Sequence, residues 1–223
     1  MATVLITGAN RGIGLELAKA YASQGDTVIA TARKPEEAEA LKATGAEVHA
    51  LDVASDDSVA AFAAAIDGRA IDLLINNAGF RDRTGLGQLD FEAFAQVMNV
   101  NTLGPLRVIQ ALQANVAAGA GKKIANISSQ LGSIENTTGD IGLTYRTSKA
   151  GLNMALKAAA AKLAEQGISV LTLHPGWVAT DMGGDQAPVQ PVDSAVGLVE
   201  VIAANGTPGE LPFLDWQGER LPW

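Results

Sequence analysis

The sequence predicts an α/β protein: one doubly wound parallel sheet of about seven strands, with helices on both faces, over residues 1–223. Three observations carry that expectation. Apolar runs of strand length recur at 3–7, 27–31, 47–51, 71–75, 123–127, 169–173 and 211–214, and helically patterned stretches separate them. Hydrophobic residues make up 48% of the chain but aromatics only 4%, so the core is mainly Ala, Val, Leu and Ile, as expected for parallel strands covered on both faces. A glycine-rich turn directly follows the first run.

In order, strand 3–7 leads into a helix over 14–24, and strands 27–31 and 47–51 lead to a helix over 56–66. Strand 71–75 precedes the segment 90–121, which reads as one extended helix. Strand 123–127 is followed by a second long helix over 144–167, and strands 169–173 and 211–214 complete the sheet. Both long helices have Ala-rich faces, which fit pairing between subunits in a homodimer or homotetramer and fit burial within one subunit equally well. No linker, internal repeat or low-complexity tract interrupts the pattern, so a single domain is expected.

Bulk chemistry excludes several classes of function. The net charge is -8, and the 16 Lys and Arg are scattered, which argues against nucleic acid. Cysteine is absent, which removes disulfides, thiolate catalysis and Cys-ligated zinc. No apolar run approaches the roughly 18 residues of a membrane span, and the N-terminus enters a strand without a charged leader, so a cytoplasmic protein away from membranes is expected. No His/Asp/Glu cluster has metal-ligand spacing, and no catalytic metal is expected.

The N-terminal glycines point to a nucleotide. Gly8-x-x-x-Gly12-x-Gly14, with Asn10, Arg11 and Ile13 between, permits a tight strand-to-helix turn and close approach of backbone N–H groups to a pyrophosphate in a Rossmann-type unit. A plain glycine-rich turn is the alternative. Readers of NAD place an acid after the second strand to hold the ribose 2'-OH. Here that strand runs out as Thr31-Ala32-Arg33, and a guanidinium suits a 2'-phosphate, with Arg11 as a second cation. NADP(H) is therefore preferred and NAD(H) remains possible; both arginines read alternatively as solvated surface charges. Asp52 after the third strand can accept the adenine amino group, with Val53 lining that pocket. Asn76-Asn77-Ala78-Gly79 ends the fourth strand with small and amide residues that either let a cofactor lie across it or bond loop backbone.

Tyr145 and Lys149 stand at i and i+4 on the second long helix and so share a face. A cation within about 4–6 Å lowers a phenol pKa by roughly 1–3 units, which would make Tyr145 a general acid for carbonyl reduction or a base for the reverse reaction. Asn126-Ile127-Ser128-Ser129 closes the fifth strand with hydroxyls, and Ser129 is placed to bond a substrate oxygen. His174 reads as a packed strand residue, His49 likewise has no role, and Trp216 and Trp223 are expected to pack on the last strand or a neighbouring subunit.

With these residues in hand, the chain resembles the short-chain dehydrogenase/reductase family over essentially its whole length. Thr7-Gly8-x-x-x-Gly12-x-Gly14, Asn76-Asn77-Ala78-Gly79, Asn101, Ser129, Tyr145-x-x-x-Lys149 and Pro175-Gly176 occur in that family's order. The second half, with Ser128-Ser129-x-x-Gly132-Ser133-Ile134, Asn136-Thr137-Thr138-Gly139 and His174-Pro175-Gly176-Trp177-Val178, is similar to the C-factor and sniffer-type carbonyl reductase branch. The resemblance implies that Tyr145 donates the proton, Ser129 polarises the carbonyl, and Lys149 binds the nicotinamide ribose and lowers the tyrosine pKa. It also implies that Asn101 holds a water of the proton relay, and that backbone from Pro175 through Gly176 to Val178, with the Thr180 hydroxyl, contacts the carboxamide. One departure is the spacing of 16 residues from Ser129 to Tyr145, where the family usually has about thirteen, which puts pocket shape in doubt.

The expected function is NADPH-dependent reduction of a small ketone or aldehyde to an alcohol. An NADP-binding signalling or interaction protein with incidental turnover, and an NAD-dependent alcohol dehydrogenase, are the rivals. A short lid over 181–191 is expected above the pocket.

Overall fold

The computed structural model describes residues 1–223. Its elements are β1 (Thr3–Ile6), α1 (Gly12–Ser23), β2 (Thr27–Ala32), the short α2 (Glu39–Lys42), β3 (Glu47–Ala50), α3 (Asp56–Ala65) and β4 (Leu73–Asn76), then α4 (Phe91–Met98), α5 (Gly104–Ala118), β5 (Lys123–Ile127), α6 (Leu143–Ala164), β6 (Ser169–His174), α7 (Pro191–Ala204) and β7 (Phe213–Asp215). All seven strands are parallel, in the order β3-β2-β1-β4-β5-β6-β7. The order reverses between β1 and β4, which opens a crevice at their carboxyl ends where ligands of such sheets bind.

Alternation along the strands divides the core. Val4 and Ile6 of β1 pack with Leu17, Ala18 and Tyr21 of α1 and Leu198 and Ile202 of α7, whereas Leu5 faces Phe62 of α3, Leu112 of α5 and Leu156 of α6. Each fully buried Leu contributes about 2 kcal/mol by removal from water. No helix is long and apolar enough to cross a membrane.

Local chemistry sets the boundaries. Ser55 caps α3 by accepting from Ser58 N at 3.2 Å, and Asp90 caps α4 by accepting from Glu92 N at 2.9 Å and Ala93 N at 3.2 Å. Asp72 takes the N–H groups of Thr3 and Ala120, both at 2.7 Å, and of Gly121 at 3.1 Å. Those bonds hold its carboxyl below the usual range, and the strand expected over 71–75 starts at Leu73 instead. At the other end of the sheet, β7 is only Phe213–Asp215, and Leu211 lies before it.

The expected extended helix over 90–121 is two helices. A π-helical turn, Asn99–Leu103, joins α4 to α5 and turns Asn101 fully inward, a placement such turns often serve at functional sites. Helix α7 falls on a stretch for which no helix was expected. Its signals are Pro191 in the first turn and the spacing of Ala195, Leu198, Val199 and Ile202.

Candidate active site

Backbone geometry makes the nucleotide end. Gly8 has φ +64°, and a Cβ there would lie 2.8 Å from Ala78 Cα; a Cβ on Gly14 would lie 2.6 Å from Gly8 O and also strike Asn77 Nδ2. The turn thus closes tightly on the end of β4. No side chain caps α1, so its first N–H groups and its positive dipole end are free to meet an anion. Gly12, at φ +55°, packs toward Thr180, with Thr180 Cγ2 at 3.4 Å from a Cβ placed there. Ile13 is half-buried and Asn10 exposed. A cradle of this kind fits a dinucleotide pyrophosphate.

Around it, Arg33 is exposed and Arg11 is paired with Asp181 across the crevice. Asp52 Oδ1 accepts from Ala54 N at 2.9 Å, which leaves its second oxygen for a ligand. Val53 is buried, pressed on Gly104 at the start of α5. Asn77 spends its amide on backbone, donating to Thr7 O at 3.0 Å and Gly8 O at 2.9 Å, while Thr7 Oγ1 accepts from Asn77 N and Ala78 N. Asn77 therefore shapes the turn. Asn76 donates to Asn126 Oδ1 at 2.9 Å.

The candidate catalytic end is built from buried polar side chains. Asn101, Ser129, Tyr145 and Lys149 are 0%, 6%, 7% and 5% exposed. Asn101 donates to Phe80 O at 2.8 Å and Ser148 Oγ at 3.0 Å and accepts from Phe80 N at 3.0 Å, which ties the π turn to the loop after β4. A Cβ on Gly79 would lie 3.1 Å from Asn101 Oδ1 and 3.7 Å from Lys149 Nζ, so three separate segments meet there. Lys149 Nζ donates to Ile127 O at 2.7 Å and lies 5.8 Å from the centre of the Tyr145 ring. Gly132 backs this lysine; a Cβ on it would fall 2.8 Å from Lys149 Cβ.

The electrostatics differ from the simple sequence argument. Burial raises the Tyr145 pKa, while Ser129, in hydrogen-bonding reach, and the Arg81 guanidinium pull it down. Burial pushes the Lys149 ammonium down to about 8, and it donates to Ile127 O. Arg81 was not singled out from the sequence; its only signal was a cation two residues past the Asn-Asn-Ala-Gly run. The arrangement can hold a neutral, proton-bearing phenol next to a hydroxyl and two cations, out of bulk water.

The segment after β6 is also fixed. Pro175 O accepts from Ser194 Oγ at 2.7 Å, Gly176 has φ +89° and packs on Trp216, and Val178 is buried and bridges to Val189. Thr180 Oγ1 accepts from Gly183 N at 3.3 Å, and Trp177 Nε1 donates to Gly183 O at 2.9 Å, so the lid segment is internally stitched.

His174 is buried, with Nδ1 unpartnered, and burial pushes it down to about 4 against the pull of Asp215, which leaves a neutral packed strand residue. Trp223 stacks on Phe213 of β7, and its backbone oxygen accepts from Ile134 N at 2.8 Å and Glu135 N at 3.1 Å. It thereby staples the longer loop between Ser129 and Tyr145. That loop borders a separate cleft of about 390 Å³ with Arg146, Thr147 and Ala150, away from the Tyr145 and Lys149 face of α6.

Residues 2–190 match the family described as short chain dehydrogenase. The chain is 38% identical over 164 residues to the C-signal protein of Myxococcus xanthus, covering 73% of this chain and 99% of that one. Among solved structures, the carbonyl reductase Sniffer of D. melanogaster superposes with a TM-score of 0.93 at 31% identity, covering 100% of both chains. An NADPH-bound carbonyl reductase from chicken fatty liver superposes with a TM-score of 0.91 at 31% identity, over 100% of this chain and 99% of that one. The chain belongs to the short-chain dehydrogenase family, within its C-factor and sniffer branch, and is an oxidoreductase.

Proposed function

We propose that the chain is an NADPH-dependent carbonyl reductase that converts a ketone or aldehyde to an alcohol with Tyr145 as general acid. The observation that carries this reading is the buried phenol of Tyr145 beside Ser129, with Lys149 Nζ 5.8 Å from its ring. Burial raises the phenol pKa, so at neutral pH Tyr145 holds a proton to give to the oxygen as negative charge develops on it. Ser129 donates to the same oxygen, and the nearby cations stabilise the charge in a site of low dielectric, together worth several kcal/mol. Asn101 fixes the loop backbone beside Lys149, and would hold the water of the proton relay.

Gly8, Asn10, Gly12, Ile13 and Gly14 would hold the pyrophosphate; Arg11 and Arg33 the 2'-phosphate; Asp52 and Val53 the adenine. Ala78 and Gly79 would line the floor, Lys149 and Tyr145 would meet the nicotinamide ribose, and Pro175, Gly176, Val178 and Thr180 the carboxamide. When bound, the nicotinamide supplies the hydride. Asn77 acts through the glycine turn it braces.

The chicken and Sniffer carbonyl reductases support this reading. The test is NADPH oxidation against a broad panel of ketones and aldehydes, with NADH alongside. Turnover with NADPH is expected; absence of turnover across the panel overturns it, and preference for NADH with alcohol oxidation favours the dehydrogenase alternative. Similarity to C-signal favours a second reading, in which the chain binds the nucleotide and acts by interaction. Assembly as a homodimer or homotetramer through the long helices, where Met154 of α6 and Leu103 before α5 are exposed, belongs to the proposal and is checked by sedimentation.

A further inference from the structure

Arg81 has no partner at the place where a partner would be a substrate. It lies in the loop after β4, half-buried, with its guanidinium carbon 5.8 Å from the centre of the Tyr145 ring. Its Nε is buried without a hydrogen-bond acceptor. Arg11, Arg69 and Arg107 each hold a carboxylate, whereas Arg33, Arg83, Arg146 and Arg220, like Arg81, hold none; among these Arg81 alone has a guanidinium nitrogen buried without a partner. The acids nearest to it along the loop and across the crevice are engaged: Asp82 accepts from Thr84 N at 3.0 Å and from the Thr84 hydroxyl, and Asp181 holds Arg11. A second guanidinium, Arg83, stands on the same loop and donates to Met182 O of the lid at 3.3 Å, also without a carboxylate. In a chain of net charge -8, an acid-free guanidinium beside the proposed proton donor, with a second on the same loop, forms a local cationic site.

A guanidinium presents a planar fork of donors that matches a carboxylate, and its weak hydration suits it to a half-buried position. Resting on the carbonyl-reductase reading above, we propose that Arg81 is a substrate-binding residue and that the enzyme prefers oxo acids, compounds with a carboxylate close to the reducible carbonyl. The carboxylate fills the open donors of Arg81 while the oxo oxygen meets Tyr145 and Ser129. The reaction balances without further reagents: hydride from NADPH goes to the carbonyl carbon, the Tyr145 proton goes to its oxygen and is replaced from water, and the carboxylate leaves unchanged in a hydroxy acid.

A matched pair of substrates tests this: benzoylformate, which is anionic, and its neutral methyl ester, assayed with NADPH on the wild type, Arg81→Met and Arg81→Lys. Arg81 also bears on the Tyr145 proton, which affects both substrates, so the informative quantity is the acid-to-ester ratio of kcat/KM. The wild-type ratio should be about ten or more, Arg81→Met should lower it about tenfold or more, and Arg81→Lys should fall between, as for loss of one charge-assisted bidentate contact. Should Arg81→Met fail to fold, the lysine variant and a drop of the wild-type ratio with added salt carry the same test. A wild-type ratio near one, a ratio that Arg81→Met leaves unchanged, or turnover of neutral ketones with rejection of both test compounds overturns the inference alone. No NADPH oxidation with any carbonyl overturns the reductase reading beneath it.

Discussion

The two ends of the crevice are built by opposite means. At the nucleotide end, the recognition elements are backbone and exposed charge: glycines closed on Ala78 and Asn77, an uncapped helix start, and Arg33 in solvent. At the proposed catalytic end, they are four polar side chains that are 7% exposed or less. Substitutions at the first should therefore act through fit or screened attraction, and those at the second through chemistry and desolvation. The first end is limited by shape, and the second holds its function against a cost in stability.

The sharpest break of this contrast is Tyr145→Phe. Removing only the phenol oxygen should lower kcat about a thousandfold, the scale of a lost general acid, while NADPH still quenches or shifts protein fluorescence on binding. Retained turnover would sink the proton-donor role. Gly14→Ala tests the other end: its Cβ must meet Gly8 O, so the variant should lose about 2 kcal/mol of stability by overpacking, together with NADPH affinity. A Gly14→Ala protein that melts within about one degree of wild type would show that the turn relaxes at little cost.

The same contrast governs what was legible in the sequence. Backbone functions left local signatures, so the glycine turn, the strand ends and the parallel α/β order could be read from spacing and composition. Helix α7 carries its own apolar period and an initial proline, although no helix was expected there. The break of the 90–121 segment was not legible, since a π turn inserts a residue without changing the apolar pattern on either side. Nor was Arg81: its meaning depends on which carboxylates are already engaged, and the adjacent acid, Asp82, is engaged by Thr84. The expectation that a neighbouring cation acidifies Tyr145 left out burial, which raises the phenol pKa.

Lys149→Met sharpens the stability side of the comparison. Burial lowers this lysine from 10.5 to about 8, so between these values the unfolded chain holds a proton that the folded one has released, and stability rises with pH across that window. Below about pH 8 the penalty is fully present. A methionine removes it, offset by about 1 kcal/mol for the lost bond to Ile127 O. The variant should thus be more stable than wild type at pH 7 by about 2 kcal/mol, and the advantage should vanish by about pH 10.5, while turnover is lost. Urea unfolding without cofactor at the two pH values measures both; a variant less stable at pH 7, or a difference independent of pH, would contradict the desolvation account.

The smallest effect is expected from Arg33→Ala, and its size follows from exposure. Arg33 stands in solvent after β2, where the protein offers it no carboxylate and an NAD reader would have an acid. Attraction to a 2'-phosphate at such a site is charge-assisted but screened by salt, so the ratio of kcat/KM for NADPH over NADH should fall about tenfold in the variant at low ionic strength and by less at about 0.15 M salt. Wild type should show the same erosion of its NADPH preference as salt rises, whereas the effect of Tyr145→Phe, buried and uncharged, should be indifferent to salt. If the coenzyme ratio survives Arg33→Ala at every ionic strength, Arg11 carries the selectivity alone; it would have to leave Asp181 to do so, and Asp181→Asn would then strengthen NADPH binding.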